Sequence, residues 1–264
     1  MLAMRVRHAF RFFLLSLAVF SFFAGHGVAA TYTWNSSAGT TTWSAATNWI
    51  GGSVPGSSDV GLFNAGSYAA QPNLTSAGTA GGLWDTGGGS VAISGSALTL
   101  KGGLLSGGST GIELDSTAGS MTISAGLVLG AAQQWLNNSP SPSVLQVAAV
   151  NNGGFALTIA GSGTNKIAGA LTGAGGLTVS GGSTTMTVAA AAAFTGATNV
   201  TAGTLNLVVN AALPDTSSVN IGSGAEILFT GTTQQGSAFP TSSAGTATSI
   251  TISGLFEKGA TCAS

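Results

Sequence analysis

Glu113 and Asp115 form the acid pair whose spacing comes closest to chemistry. In a strand, residues i and i+2 share a face, and with a rise of about 3.3 Å per residue their carboxyls stand ~6–7 Å apart. Carboxyl pairs about 5–9.5 Å apart cleave glycosidic bonds, and similar oxygens hold calcium. The surrounding GGSTGIELD (107–115) occurs once and lacks the G-G-x-G-x-D spacing of calcium-binding nonapeptide repeats. There is no third acid beside the pair, and no arginine or other basic partner to tune either pKa. The pair is therefore read as two solvated acids on the outer face of a strand, with Leu114 turned inward.

Aromatic chemistry is concentrated in TYTWNSSAGTTTWSAATNWIGGSVPGSSDVGLFNA (31–65), which holds Trp34, Trp43 and Trp49. Three indoles could stack on sugar rings. The preferred reading buries them as a lid, with each N–H finding a backbone partner. Trp84, beside Asp85, and Trp135, near Asn137 and Asn138, are read the same way. The asparagines of NLT (73–75) and NVT (199–201) read as turn or ladder residues, not as glycan acceptors.

Other chemistries lack their residues. Both histidines, His8 and His26, fall in the first thirty positions. A Ser/His/Asp or Cys/His nucleophile and a His-ligated zinc site therefore have no imidazole to work with. No G-x-x-x-x-G-K-S/T stretch offers a phosphate cradle, and no cofactor is expected. Cys262 is the single cysteine and cannot form a disulfide within the chain.

The first thirty residues have their own logic. MLAMRVRHAFR carries Arg5, Arg7 and Arg11, and FFLLSLAVFSFFAG follows as an apolar run. Val28 and Ala30 then stand at the −3 and −1 positions of a cut between Ala30 and Thr31. Basic, apolar and small-residue regions in that order predict a cleaved signal peptide. A run of about 14 residues is short of the ~20 that span a bilayer as a helix. Residues 31–264 keep Lys101, Lys166 and Lys258 against Asp59, Asp85, Glu113, Asp115, Asp215, Glu226 and Glu257, three minus seven, or −4. Without clustered Lys and Arg, a nucleic-acid partner is excluded. The expected partners are the export machinery and surface or extracellular glycans or neighbouring cell surfaces.

The elements that would position these residues are short strands. Period-two alternation bounded by turn residues recurs in SVAIS (90–94), ALTL (97–100), GIELD (111–115), SMTIS (120–124), FALTIAG (155–161) and GGLTVSG (175–181). It continues in TTMTV (184–188), GTLNLV (203–208), SVNIG (218–222) and SITISG (249–254). Each reads as a half-buried strand. Similar triplets recur near a twenty-residue spacing, Leu98 to Met121, Met121 to Leu145 and Leu157 to Leu177, which argues for stacked coils over a sandwich. The predicted fold is all-β, a right-handed parallel β-helix after the signal peptide. Residues 31–66 are its tryptophan-rich cap and 67–264 the helix. Charged residues make up only 5% of the chain, so solubility must come from outward hydroxyls and amides. The alanine run 189–193 is read as a thin-walled strand or corner despite its helical propensity. The tail EKGATCAS has no counterpart to the cap and reads as the end of a front portion of something longer.

IAGALTGAGGLTVSGG followed by FTGATNVTAGTLNL, within about 167–208, resembles the autotransporter-associated β-strand repeat, also called the passenger-associated transport repeat. The match falls on Gly173, Gly175, Gly176, Leu177 and Thr178, then on Phe194, Thr195, Gly196, Thr198, Val200, Gly203, Thr204 and Leu205. It departs at VSGGSTTMTVAAAAA, where the family usually has a Lys-Thr-Gly-x-Gly-Thr-Leu-Thr-Leu-Ser-Gly strand. TWNSSAGTTTWSAATNWIGG, LTSAGTAGGLWDTGGG and AAQQWLNNS resemble the leader regions of large exported repeat proteins of Gram-negative bacteria. The resemblance implies a secreted or surface-displayed β-helical passenger, with an outer-membrane barrel or sorting anchor beyond this stretch. It brings no common catalytic residues. The expected function is an exported, non-catalytic structural or adhesin-like protein. A carbohydrate-binding module using the tryptophan cap and a polysaccharide-active β-helix enzyme are the alternatives.

Overall fold

The computed structural model describes residues 29–35, 37–103, 105–188, 193–207, 218–229 and 249–252. The signal segment up to Val28, alanines 189–192, Asp215, Glu257, Lys258 and Cys262 lie outside the described residues.

Alternating side chains with glycine-rich corners make a three-sided coil. Its first face stacks Gly82–Asp85, Thr110–Leu114, Gln133–Asn137, Leu157–Ala160, the start of Leu177–Val188, the start of Thr198–Leu207, and Val219–Ile221. The second stacks Val91–Gly95, Met121–Ile123, Val144–Val147, Thr164–Ile167 and the later halves of the two long strands, then Glu226–Phe229 and Ser249–Ile252. The third runs from Gly78–Ala80 through Leu98–Leu100, Leu127–Leu129, Val150–Asn151 and Leu171–Gly173 to Ala193–Phe194. All these pairings are parallel, and together they form a β-solenoid of about seven turns. Each of the ten segments read as strands from alternation overlaps a strand of this stack, GGLTVSG and TTMTV falling on the one long strand Leu177–Val188.

Side chains at alternate positions fill the interior in continuous columns. Leu83, Ile112, Trp135, Ile159, Val179 and Val200 stack on the first face, each buried. Ile93, Ile123, Val147 and Ile167 do so on the second, and Leu98, Leu127, Val150 and Leu171 on the third. Each aliphatic side chain so placed contributes about 1.5–3 kcal/mol. In-register stacking gives every coil the same neighbours above and below.

The stacking partners refine the spacing read from sequence. Met121 does stand on Leu145, and Leu157 on Leu177. Leu98 does not stand below Met121: it pairs with Leu127 on the third face, while Met121 pairs with Val91 on the second. One early coil is longer: Leu83 is followed by Ile112, 29 residues on, whereas Val60 is followed by Gly82, 22 residues on, and Val179 by Val200, 21 residues on. The extra length is the loop 101–109.

Residues 31–66 do more than close the end. Thr31–Trp34 and Val60–Phe63 extend the first face by two parallel rungs, so the stack begins inside the cap segment. Thr31–Trp34 also pairs antiparallel with Trp49–Ile50, which folds the chain back over the open end of the core. Among the described residues no helix is long and apolar enough to cross a membrane.

Corners are held by close backbone contact and by asparagine amides. A side chain at Gly175 would overlap the Phe155 carbonyl oxygen, and one at Gly196 the Gly175 backbone. Asn152 donates from Nδ2 to the Gly175 carbonyl at 2.7 Å, and its Oδ1 accepts from the Gly175 N–H at 2.9 Å. Asn137 similarly reaches the next coil, donating to the Thr164 carbonyl at 2.9 Å. These buried amides do for the corners what backbone pairing does for the faces. Asn73 and Asn199, read as ladder residues, bond the side chains of Ser94 and Asn220 in the next coil.

Candidate functional site

The polar side chains that gather in one place lie around the Gly82–Asp85 and Thr110–Leu114 rungs. Alternation there sends Leu83 and Asp85 inward and Trp84 outward, and likewise Leu114 inward and Glu113 outward. The structure corrects the reading of Glu113 and Asp115 as a solvated pair. Glu113 is buried beneath the loop 101–109, where its Oε2 accepts from the Ser106 N–H at 3.1 Å and its Oε1 from the Ser106 hydroxyl at 2.7 Å. Asp115 lies past the strand end, half-buried, and its Oδ1 accepts from Trp84 Nε1–H at 3.2 Å. Both carboxylates are committed to holding the wall. Leu114 points inward as expected.

Asp85 is the acid that sequence reasoning missed. It is fully buried in a column between Phe63 and Leu114. Its Oδ1 accepts from the Gly87 N–H at 3.0 Å, and its Oδ2 has no partner among the described residues. Burial pushes its pKa up to about 7; the Gly87 N–H pulls the other way, and the charge of Asp115 adds to the rise. Burial likewise pushes the nearby Tyr68 phenol up to about 12, against the pull of the Ala65 N–H and with a push from Asp85. The signal was present in GLWD, where Asp85 shares the parity of Leu83 and so falls on the core face.

The tryptophans are placed as a lid and not as a platform. Trp34, Trp43 and Trp49 are 1%, 2% and 2% exposed. Trp49 meets Trp34 and Trp43 edge-on, with ring centroids 5.1 and 4.7 Å away, and Phe63 at 6.3 Å. No ring face among the three is offered to solvent, so they take the lid placement preferred from the sequence and not that of a sugar-stacking platform. Trp135 is buried in the first-face column. The repeat-motif residues occupy structural places: Leu177, Phe194, Val200 and Leu205 are fully buried, and Gly173 and Gly203 turn corners at φ 107° and 80°. Gly176 packs against Ala197, a side chain there coming within 2.7 Å of its carbonyl oxygen. Thr195 donates its N–H to the Gly173 carbonyl, and Thr204 pairs with Glu226.

Among the described residues no group of three or more His, Cys, Asp or Glu side chains converges to hold a metal. Fold and side-chain placement together define a parallel β-solenoid whose polar groups chiefly brace its own coils. No protein-family model matches the chain, and neither a curated protein nor a solved structure is significantly similar to it.

Proposed function

We propose that this chain is an exported, non-catalytic structural element, a β-solenoid passenger or surface stalk of the kind the autotransporter-associated repeat implies. The observation that carries the reading is the continuous parallel stack, in which asparagine amides link one coil to the next. A molecule so built holds its ends at a fixed separation and presents three long faces. Export rests on the order of basic, apolar and small-residue segments ahead of Thr31. Thr31 opens the first strand of the stack, so a cut after Ala30 would release the folded unit with almost nothing trailing. It would cost one edge hydrogen bond, that from the Val60 N–H to the Ala30 carbonyl. Engagement of Glu113 by Ser106 and of Asp115 by Trp84 argues against the polysaccharide-cleaving alternative.

The test is expression of the full chain in a Gram-negative host, followed by fractionation and N-terminal sequencing. The reading predicts protein outside the inner membrane beginning Thr-Tyr-Thr-Trp. Protein that stays in the cytosol or inner membrane with Met1 intact would overturn it.

A further inference from the structure

The three cap tryptophans differ in what their N–H groups do. Trp34 Nε1–H donates to the Ala70 carbonyl at 2.9 Å, and Trp49 Nε1–H to the Trp43 carbonyl at 2.8 Å. Trp43 Nε1–H has no acceptor among the described residues, although the residue is only 2% exposed. Trp135 Nε1 is the indole nitrogen sealed in the core without a partner among the described residues, whereas Trp43 Nε1 is within reach of solvent. This one borders a half-open cavity of about 190 Å³ between the cap and the first full coil. Gly78 lies on the same wall, and a Cβ there would stand 3.7 Å from Trp43 Nε1.

The cavity's chemistry is specific in three ways. Its lining contains no charged side chain, so an ionic ligand would shed water with no counter-charge to meet it. Val54 and Pro55 give it an apolar side, while the exposed Ser44, Thr75 and Ser76 put hydroxyls at its rim. Its volume is below the ~300 Å³ at which drug-sized sites begin, which leaves room for one six-membered ring.

We propose that this cavity binds a single neutral pyranose, one hydroxyl of which accepts from Trp43 Nε1–H. The C–H face of the ring rests on Val54 and Pro55, and the remaining hydroxyls exchange hydrogen bonds with Ser44, Thr75 and Ser76. The glycan contact is thus an indole edge in a pocket, in place of a stacked indole face. The inference goes beyond the structural role and does not depend on it, because the cavity lies between the cap and the first full coil wherever the protein resides.

The experiment is titration of the ¹⁵N-labelled full chain with the methyl α- and β-pyranosides of glucose, galactose and mannose, following the indole N–H resonances of its five tryptophans. One pyranoside is expected to shift the Trp43 resonance, assigned by its loss in Trp43→Phe, with a Kd of about 1–10 mM. Trp43→Phe keeps an aromatic wall without the donor and should weaken binding roughly 5–10-fold. Gly78→Ala sets a methyl group 2.7 Å from Leu74 Cδ2 and should abolish the shift by narrowing the cavity. The wild-type resonance gives an answer even if a variant misfolds. Failure of every pyranoside to move an indole resonance would overturn the proposal. So would movement of one other than Trp43, or undiminished affinity in Trp43→Phe.

Discussion

Asp85 places a carboxyl inside a column of apolar side chains, and its protonation is therefore tied to folding. Its ordinary value of 3.8 rises to about 7 in the folded protein, chiefly through burial. The folded state thus binds the proton more tightly than the unfolded chain does. The contribution of Asp85 to stability is full below about pH 4, falls as pH rises toward 7, and is flat above. A shift of this size corresponds to about 4 kcal/mol. Urea midpoints measured from pH 4 to pH 8 should fall accordingly, and Asp85→Asn should flatten the profile and raise the midpoint at pH 8. A second prediction concerns backbone approach. Gly175→Ala forces a methyl group onto the Phe155 carbonyl oxygen and should cost at least ~2 kcal/mol. Gly126→Ala, where no atom lies within 4 Å, should change the urea midpoint little. The need for small residues at Gly175, Gly176 and Gly196 was legible as a glycine pattern. Its reason was not, since which carbonyl lies above each glycine depends on coil length.

The loop 101–109 is the element that most alters the outer surface. It lengthens one coil and lays Leu105 toward Gly82, where a Cβ would come within 3.2 Å of the Leu105 side chain. Its tie is Glu113, through two hydrogen bonds to Ser106. Hydrogen bonds to a charged group contribute about 1.5–3 kcal/mol, so Glu113→Ala should speed amide exchange at Ser106 and its neighbours by roughly 10–100-fold. Exchange in Leu127–Leu129 and Leu157–Ala160 should stay as it was. Unchanged exchange across the loop would show that other contacts hold it. The strands themselves were legible because alternation survives in short segments such as ALTL and SMTIS. Strands with polar inward positions were less so. Thr164–Ile167 turns Asn165 inward and Lys166 outward, which masks the apolar rhythm. The fate of Glu113 was illegible because a loop from the preceding turn covers it.

At the scale of the whole molecule, neutrality and stability have one source. Outward positions carry residues such as Thr122, Gln146 and Lys166 on the second face and Thr158, Thr178 and Asn199 on the first, so hydroxyls and amides meet water while backbone groups pair between coils. Parallel stacking, in which each residue sits above its counterpart one coil earlier, makes the chain a rod whose length grows by about 4.8 Å per coil. Ala92, Lys166 and Asn206 stand on one outward line of the second face, Lys166 three coils and Asn206 five coils beyond Ala92. The most direct measurement is pulsed electron–electron distance spectroscopy on spin labels at Ala92→Cys/Lys166→Cys and Ala92→Cys/Asn206→Cys, each in a Cys262→Ser background. A rigid solenoid predicts narrow distributions near 14 and 24 Å, allowing for the label linkers, with a difference of about 10 Å. Broad distributions, or two pairs with the same mean distance, would contradict the stacked rod on which every other inference rests.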